Sequence, residues 1–421
     1  MFLYSLHVEN FRGLADVQLD FRDAAGAARQ WTVLLGANGS GKSNLLKAIA
    51  LVTAGSEAAA ELSGDFATWV RVGKGSRRAK VAAVLQNQEL EERSIAIEFR
   101  RDDTITSFLT RNATTLESLD AAIKHSQRNY FVAAYGASRR LSDSRGVSRE
   151  KSQYRSLRAQ SVATLFDPNR TLVPFENWVM DLDYRTKGSG LKLVRSISKE
   201  FLPGVVFHRV DREKQRLLFR TSDGIVPLEF LSDGYQNVIA WVGDMLSRLT
   251  RVFTDYRNPL EARGLLLIDE VDLHLHATWQ RRLLEFLQRK LPKFQFVVTT
   301  HSPLTAQQTG AGELYYLERA DDGVQLHEFS GDPRRMLLHQ LLMSDAFGVS
   351  SDESRQQQAI KDSYRQLRDK PGKTAAEKQQ LETLAEAVRE LPDPIRTNSL
   401  VNEETLALLR KIDAELVGGR P

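Results

Sequence analysis

The chain has 421 residues, 42% hydrophobic and 27% charged, a composition typical of a globular protein large enough for several lobes. No apolar run reaches the roughly 18 residues that a bilayer-spanning helix needs, and no basic and apolar leader opens the sequence, so we expect a cytoplasmic protein with no membrane partner. Cysteine is absent, which excludes disulfides and zinc–thiolate sites, while a net charge of +4 decides nothing about nucleic acid.

Short apolar runs, some alternating and some continuous, predict strands along much of the chain. In chain order these are residues 2–8, 15–21, 31–35, 79–85, 94–99, 130–134, 205–209, 216–220, 264–268 and 295–299. Helical periodicity predicts helices over 42–52, 116–123, 235–252, 277–290 and 375–391, and residues 53–75 are interpreted as irregular. Strands mixed with helices indicate an α/β fold.

A glycine-rich loop follows the strand at 31–35. Its sequence, Gly36-Ala37-Asn38-Gly39-Ser40-Gly41-Lys42-Ser43, matches the phosphate-loop spacing G-x4-G-K-[ST] in full. Glycines let backbone N–H groups curl around phosphate oxygens, and the following helix points its N-terminus at the anion. Lys42 is expected to reach the β- and γ-phosphates of ATP, and Ser43 to bind Mg²⁺. The predicted nucleotide-binding residues here are Gly36, Asn38, Gly39, Gly41, Lys42, Ser43 and Asn44.

Two carboxylates end the apolar strand at 264–268. Asp269 and Glu270 stand at its carboxyl end, where α/β sheets bind ligands. Asp269 is expected to hold Mg²⁺, and Glu270 to orient or deprotonate the attacking water. A pair of acids at a strand end is common in itself, but its position behind a phosphate loop favours catalysis.

Two further motifs give the sequence a family resemblance. Leu231-Ser232-Asp233-Gly234-Tyr235-Gln236 resembles the signature motif of ABC-type ATPases, usually Leu-Ser-Gly-Gly-Gln, and His301 in Thr299-Thr300-His301-Ser302-Pro303 resembles the family's switch histidine. The resemblance implies that Ser232 and the Gly234 N–H of one copy cap the γ-phosphate held by another. It also implies that a neutral His301 bonds the phosphate or the water. Asp233 departs from the family pattern, and an ordinary serine N-cap is the simpler alternative for Ser232.

The N-terminal run Asn10-Phe11-Arg12-Gly13 is similar to the hairpin of the SMC, RecF and OLD branch, in which the arginine often lies near the nucleotide. Arg12 is therefore a further candidate for nucleotide binding. Asp272 corresponds to the family's D-loop aspartate. The spacing of His274 and His276 suggests a metal, but we discount it because such positions more often serve subunit contacts. The family's glutamine loop has no clear counterpart; residues 135–140 are a candidate replacement, and Gln86 and Gln88 are weaker ones.

Four features resemble the stand-alone ATPases of bacterial anti-phage defence operons, such as the ATPase of Septu-type systems. They are Tyr135-Gly136-Ala137-Ser138-Arg139-Arg140, the signature helix, Leu273-His274-Leu275-His276, and the segment Met343–Val349. This resemblance implies a separate effector protein such as an HNH nuclease. No long heptad arms of the SMC kind separate Ser43 from Leu231, and no D-x-D cluster of the OLD nuclease kind follows residue 330.

Seven basic residues crowd one polar stretch: Arg139, Arg140, Arg145, Arg149, Lys151, Arg155 and Arg158. They fit a DNA-backbone patch, and equally a solvated helix face or a surface for an acidic partner. DNA is thus one candidate partner among several.

We predict an ABC-type P-loop ATPase head with a mixed sheet, a helical insertion and a C-terminal helical tail. The predicted parts are an N-terminal lobe (1–143), the insertion (144–189), a C-terminal lobe (190–330) and a tail (331–421) for partner or oligomer contacts. The head is expected to bind and hydrolyse ATP as a homodimer or higher homo-oligomer that gates the effector. Three alternatives stay open: a RecF-like DNA-repair clamp without a toxic partner, a transporter ATPase, and a non-enzymatic ATP sensor.

Overall fold

A computed structural model describes residues 2–73, 75–86, 91–125, 130–141, 154–202, 204–253, 259–320, 323–349 and 353–390. Within this part of the chain the strands are β1 (Phe2–Phe11), β2 (Leu14–Asp20), β3 (Trp31–Gly36), β4 (Arg78–Gln86), β5 (Glu92–Arg100), β6 (Val132–Tyr135), β7 (Arg140–Leu141), β8 (Thr171–Leu172), β9 (Val206–Asp211), β10 (Arg216–Thr221), β11 (Gly224–Pro227), β12 (Gly264–Ile268), β13 (Phe294–Thr299), β14 (Leu314–Ala320) and β15 (Gly323–Glu328).

The helices of the same part are α1 (Lys42–Thr53), α2 (Ser56–Ser63), α3 (Ile105–Arg111), α4 (Ala113–His125), α5 (Leu157–Phe166), α6 (Phe175–Thr186), α7 (Leu191–Phe201), α8 (Asp233–Val252), α9 (Ala277–Gln280), α10 (Leu283–Lys290), α11 (Pro303–Ala306), α12 (Leu338–Leu342), α13 (Arg355–Asp369) and α14 (Ala375–Glu390). None of these described helices combines the length and the apolar character needed to cross a bilayer.

One large mixed sheet organises the chain, in the order β5-β4-β1-β2-β15-β14-β3-β13-β12-β6. The β5-β4-β1-β2 side is antiparallel. Strands β14, β3, β13, β12 and β6 run parallel, so their carboxyl ends meet at one edge. Loops at that edge of a parallel sheet are where ligands bind in α/β proteins. The sheet order and the phosphate loop at this edge confirm the predicted α/β P-loop ATPase head with a mixed sheet.

The parallel strands β3, β6, β12 and β13 are buried on both faces, which explains their continuous apolar runs. On β12, Leu265 and Leu267 face one hydrophobic core, and Leu266 and Ile268 face the other. Helices α1, α2, α4 and α5 contribute to the first core, and α6, α7, α8 and α10 to the second. The central strands, whose carboxyl ends carry the candidate site, are thus packed from both sides.

Two expectations for local structure were wrong, and one pair of strands was missed. Residues 53–75, interpreted as irregular, include α2, whose Ala58 and Leu62 are buried in the first core. The helix expected over 277–290 is broken between Gln280 and Leu283. The pair β14–β15 was not predicted, and it adds a hairpin to the sheet between β2 and β3.

The contacts divide the chain into a unit of residues 1–348 and a unit of residues 349–421. Helix α12 therefore falls in the first unit, although it lies within the predicted tail. Helix α5 of the predicted insertion buries Ala159 and Val162 in the first core. The second unit contains α13 and α14, which pack against each other. Residues 144–153 and 391–421 lie outside the described residues. The predicted insertion at 144–189, and the predicted role of the tail in partner or oligomer contacts, stay predictions.

Candidate functional site

The phosphate loop depends on glycine at several positions. Gly36 has φ +146°, and a Cβ there would lie 2.5 Å from Ser40 Oγ and 2.6 Å from the Leu317 carbonyl oxygen. Gly41 has φ +100°, and its Cβ would lie 2.8 Å from a Leu14 methyl carbon. Only glycine combines these left-handed conformations with such close neighbours. The loop therefore packs tightly between β14 and the β1–β2 hairpin and leads directly into α1.

Lys42 folds back onto the loop that precedes it. Its Nζ donates hydrogen bonds to the carbonyl oxygens of Gly36, at 2.8 Å, and Ala37, at 3.0 Å. Burial lowers the pKa of Lys42 below its ordinary value, and the nearby charges of Asp269 and Glu270 oppose that shift. The amine thus stands at the head of the loop with donors that a phosphate could take over.

A short hydrogen-bond network joins the loop to the ends of β12 and β13. Ser43 Oγ donates to Asp269 Oδ2 at 2.7 Å, and Thr299 Oγ1 donates to Asp269 Oδ1 at 2.6 Å. The Glu270 N–H donates to Thr299 Oγ1 at 2.7 Å. A hydroxyl and a carboxylate at this spacing suit Mg²⁺, which prefers a few oxygen ligands supplemented by phosphates and water. Ser43 and Asp269 are thus the residues that fit the ion.

Glu270 and His301 flank this network. Glu270 is half-buried with φ +48°, a conformation that costs a residue other than glycine about 1–3 kcal/mol. His301 follows β13 and is exposed. Partial desolvation of the side chain, and then the charge of Lys42, lower the pKa of His301 below its ordinary value of 6.5, so its imidazole is mainly neutral at pH 7. A neutral imidazole can both donate and accept a hydrogen bond, which suits contact with a phosphate or a water.

The signature motif lies apart from this network and against the D-loop. Ser232 is the N-cap residue of α8, but its side chain makes no capping hydrogen bond and is exposed. A Cβ on Gly234 would lie 2.6 Å from the His274 carbonyl oxygen, so only glycine allows this approach. Both residues line a cleft of 530 Å³, together with Tyr235 and His276, that includes no phosphate-loop residue. Among the described residues, the cleft of Ser232 and the phosphate loop of Lys42 are therefore separate.

Arg12 lies beside the phosphate loop. A cavity of 730 Å³ is lined by Arg12, Gly39 and Asn44, and its size suits a small ligand. The Arg12 guanidinium carbon lies 4.1 Å from the centre of the Trp69 ring, and burial lowers the pKa of Arg12. Among the described residues its Nε has no hydrogen-bond partner although it is buried. Arg12 therefore presents unused donor capacity next to the loop.

The D-loop residues serve local structure in this chain. Asp272 Oδ2 accepts hydrogen bonds from the hydroxyls of Thr300, at 2.5 Å, and Thr305, at 2.6 Å. His274 has φ +63°, and His276 Nδ1 caps α9 through the Thr278 N–H. In the described part of the chain no group of three His, Asp or Glu side chains is arranged to hold a metal ion.

Two of the proposed glutamine-loop candidates differ in placement. Gln86 ends β4 and pairs with Phe2, at the end of β1 remote from Arg12, so it lies away from the phosphate loop. The end of β6 instead lies beside β12, where Arg139 reaches under Asp269 and Glu270. Gln88 lies outside the described residues. Two residues of this segment therefore contact the site: Arg139 through its guanidinium, and Tyr135, whose carbonyl oxygen accepts the Asp269 N–H at 2.8 Å.

The basic stretch is only partly described. Arg139 is 6% exposed and bonds internal oxygen atoms, so its inclusion in a surface patch for DNA was wrong. Arg145, Arg149 and Lys151 lie outside the described residues. Sequence reasoning also missed Thr299 and Asn237, which contact Asp269 and Arg139. The doubled threonine ahead of His301 was a signal for Thr299, but nothing local marked Asn237.

Residues 73–306, more than half of the chain, match the family model described as an AAA domain, putative AbiEii toxin, Type IV TA system. The Septu protein PtuA of Bacillus mycoides (strain KBAB4) is 26% identical over 389 residues, covering 91% of this chain and 50% of that protein. The probable ATPase of retron Ec83 from Escherichia coli is 31% identical over 135 residues, covering 32% of this chain and 25% of that protein.

The chain thus spans half or less of the length of these two curated relatives. Among solved structures, an SMC head bound to the C-winged helix domain of ScpA covers 78% of this chain and 98% of its own, at 17% identity and a TM-score of 0.49. The relatives confirm the resemblance to Septu-type ATPases that the four sequence features suggested. The chain belongs to the family of AAA domains described as putative AbiEii toxins of Type IV toxin–antitoxin systems.

Proposed function

We propose that this chain binds ATP with Mg²⁺ and hydrolyses it in sites shared between two copies. The observation that carries this proposal is the network of Ser43, Asp269 and Thr299 at the carboxyl ends of neighbouring parallel strands, with Lys42 at the head of the loop. An ordinary glycine turn followed by an unrelated pair of acids would not place the serine hydroxyl on the carboxylate. The cavity beside Gly39, Asn44 and Arg12 offers room for the nucleoside.

Each residue has a role that its surroundings support. Lys42 exchanges its bonds to Gly36 and Ala37 for bonds to the β- and γ-phosphates. Ser43 and Asp269 would hold Mg²⁺, which neutralises phosphate charge when bound. Glu270 accepts a proton from the attacking water or orients it, and the neutral His301 bonds the γ-phosphate or that water. Asn38, Gly39 and Gly41 provide the N–H groups of the loop.

The second copy completes the site. Ser232 keeps its hydroxyl free of a capping bond and, with the Gly234 N–H, stands at the start of a 20-residue helix whose N-terminus favours an anion. Because the signature cleft includes no phosphate-loop residue, these donors serve the γ-phosphate bound by the other copy. ATP binding thereby favours a dimer, and hydrolysis releases it.

The biological role we propose is the ATPase subunit of an anti-phage defence complex that gates a separate effector, such as an HNH nuclease. The similarity to a Septu protein and to retron ATPases supports this role. The effector is proposed to dock on the helical tail, where α13 has no fully buried side chain among the described residues. The alternative is a RecF-like clamp that binds DNA without a toxic partner.

Glu270→Gln tests the catalytic part of the proposal. The amide cannot take the water proton, so kcat is expected to fall by a factor on the order of 10²–10⁴ while ATP binding persists. Dimers trapped by ATP should then appear in light scattering after gel filtration. Glu213→Gln, an isosteric change in the exposed turn after β9, is the control. Normal turnover by Glu270→Gln would refute the assignment.

Mass analysis of the protein purified with the products of its own operon, with and without ATP, tests the biological role. A fixed ratio with a nuclease-like partner would support the defence role. A protein that purifies without a partner, dimerises only with ATP and hydrolyses ATP faster in the presence of DNA would favour the RecF-like clamp. Loss of phage resistance in cells carrying Glu270→Gln would distinguish defence from repair independently.

A further inference from the structure

A buried arginine connects the two halves of the proposed site. Arg139 follows β6 and reaches under the end of β12, where its guanidinium donates to the carbonyl oxygens of Glu270, at 2.7 Å, and of Asp269. It also donates to the Gly136 carbonyl oxygen at 3.1 Å and to Asn237 Oδ1 at 3.3 Å. The side chain thus spans three separate segments of the chain.

The chemistry of this contact is unusual for a buried cation. In the part of the chain that the structure describes, the hydrogen bonds of Arg139 go to neutral oxygens and not to a carboxylate. Burial lowers the pKa of Arg139 to about 10, which still leaves it charged at neutral pH. A buried charge is costly unless its donors are satisfied, and here the planar fork satisfies them with backbone carbonyls. Lysine has a single ammonium group and could not reach the same four oxygen atoms, those of Gly136, Asn237, Asp269 and Glu270.

The residues that Arg139 touches explain what the contact does. Asn237 and Trp241 lie one turn apart on α8, and the guanidinium carbon lies 6.0 Å from the centre of the Trp241 ring. Helix α8 is the helix that begins directly after the signature residue Ser232. The other end of the contact is the carbonyl of Glu270, whose left-handed backbone needs support from its surroundings.

We propose that Arg139 is a positioning residue that ties the signature end of α8 to the backbone carrying Asp269 and Glu270. A shift of α8, when its N-terminus meets a γ-phosphate, then changes how Glu270 is held. The inference rests on the proposed function, because it concerns the same ATPase site. It adds a physical connection, within one copy, between the segment of Asp269 and Glu270, which serves that copy's own nucleotide, and the start of α8, which serves the nucleotide of the other copy.

Arg139→Lys tests the link by keeping the charge and removing the fork. A misplacement of about 1 Å at a reacting group can cost a factor on the order of 100, so kcat should fall about 10–100-fold while KM for ATP changes within about twofold. The control is Arg248→Lys, the same change at a half-buried arginine of α8 that bonds Asp244 at 2.6 Å. It should leave the kcat of the folded protein within about twofold.

Asn237→Ala breaks the contact from the other side and leaves Arg139 in place. It should lower kcat with KM unchanged, and its effect should not add to that of Arg139→Lys, because both cut one connection. This variant also decides the matter if changes at Arg139 prevent folding. A kcat like that of the wild type in both variants, or additive effects, would overturn the proposal.

A readout that does not require hydrolysis separates this inference from the proposed ATPase activity. In a Glu270→Gln background, Arg139→Lys should weaken ATP-dependent dimerisation by about tenfold, because the signature end of α8 loses its anchor. If the wild-type protein bound ATP and dimerised but did not hydrolyse ATP, the proposed hydrolysis would be wrong. The dimerisation measurement would still test the role of Arg139. Unchanged dimerisation would then refute the link.

Discussion

Thr299→Val removes a hydroxyl that bonds the Asp269 carboxylate and the Glu270 backbone N–H, while nearly preserving the shape of the side chain. Thr299 is fully buried, donates to Asp269 Oδ1 at 2.6 Å and accepts from the Glu270 N–H at 2.7 Å. Valine can do neither. A buried donor left without a partner costs about 1–3 kcal/mol, and a lost bond to a charged group costs a similar amount. We therefore expect the free energy of unfolding to fall by about 2–4 kcal/mol.

The effect on catalysis should be larger than the effect on ATP binding. Without the hydroxyl, the Glu270 N–H loses its anchor, and the backbone at φ +48° can relax toward a commoner conformation. A displacement of about 1 Å would lower kcat by a factor on the order of 100. Lys42 and the loop glycines are untouched, so the Kd for ATP should change within about threefold.

Steady-state ATPase kinetics, nucleotide titration and chemical denaturation measure the three quantities. Thr299→Ser is the matched control, because it keeps the hydroxyl and loses one methyl group, about 1 kcal/mol of burial. Its kcat should stay close to that of the wild type. If Thr299→Val kept a normal kcat while losing stability, the hydroxyl would hold the fold but not Glu270, and the reasoning would fail.

Two further predictions concern the signature helix and pH. Gly234→Ala places a methyl 2.6 Å from the His274 carbonyl oxygen and should lower kcat at least tenfold. The control is Gly243→Ala, which crowds Phe175 further along α8. It should lower the free energy of unfolding by about 1–3 kcal/mol without lowering kcat tenfold. Equal kcat in both would contradict the contact. The pKa of His301 lies below 6.5, so activity should decline only as pH falls through that lower value and the ring becomes charged. Because Lys42 contributes to the shift, Lys42→Met should raise the pKa of His301 in an NMR titration, and a wild-type value above 6.5 would refute the argument.

The parts of the fold that could be predicted are those whose cause is local. The phosphate-loop motif at 36–43 predicted a turn between a strand and a helix. The structure has β3 before this turn and α1 after it. The continuous apolar run of β12 predicted a strand buried on both faces with its acids at the edge. The hairpin β14–β15 also had a local signal, an Asp-Gly pair at 322–323 between apolar runs, which was overlooked.

The parts that could not be predicted depend on which segments meet in three dimensions. Residues 135–140 were a candidate replacement for the glutamine loop, but Arg139 was also counted among seven basic residues of a possible DNA patch. It is buried because β6 pairs with β12 and brings it next to the Asp269 backbone. The partnership of Asn237 with Arg139 joins residues 98 positions apart. No periodicity or motif within α8 distinguishes that asparagine from a solvent-exposed one.

The two halves of the proposed site differ in how their side chains are hydrogen-bonded. Lys42 and Ser43 already have partners, the loop carbonyls and Asp269, so binding a phosphate and a cation exchanges existing bonds and does not order a loose loop. Ser232, in contrast, carries a hydroxyl without a capping bond on a helix that is tied to the first half through Asn237 and Gly234. In the proposed dimer, the position of α8 would therefore decide whether Ser232 reaches the γ-phosphate bound by the other copy.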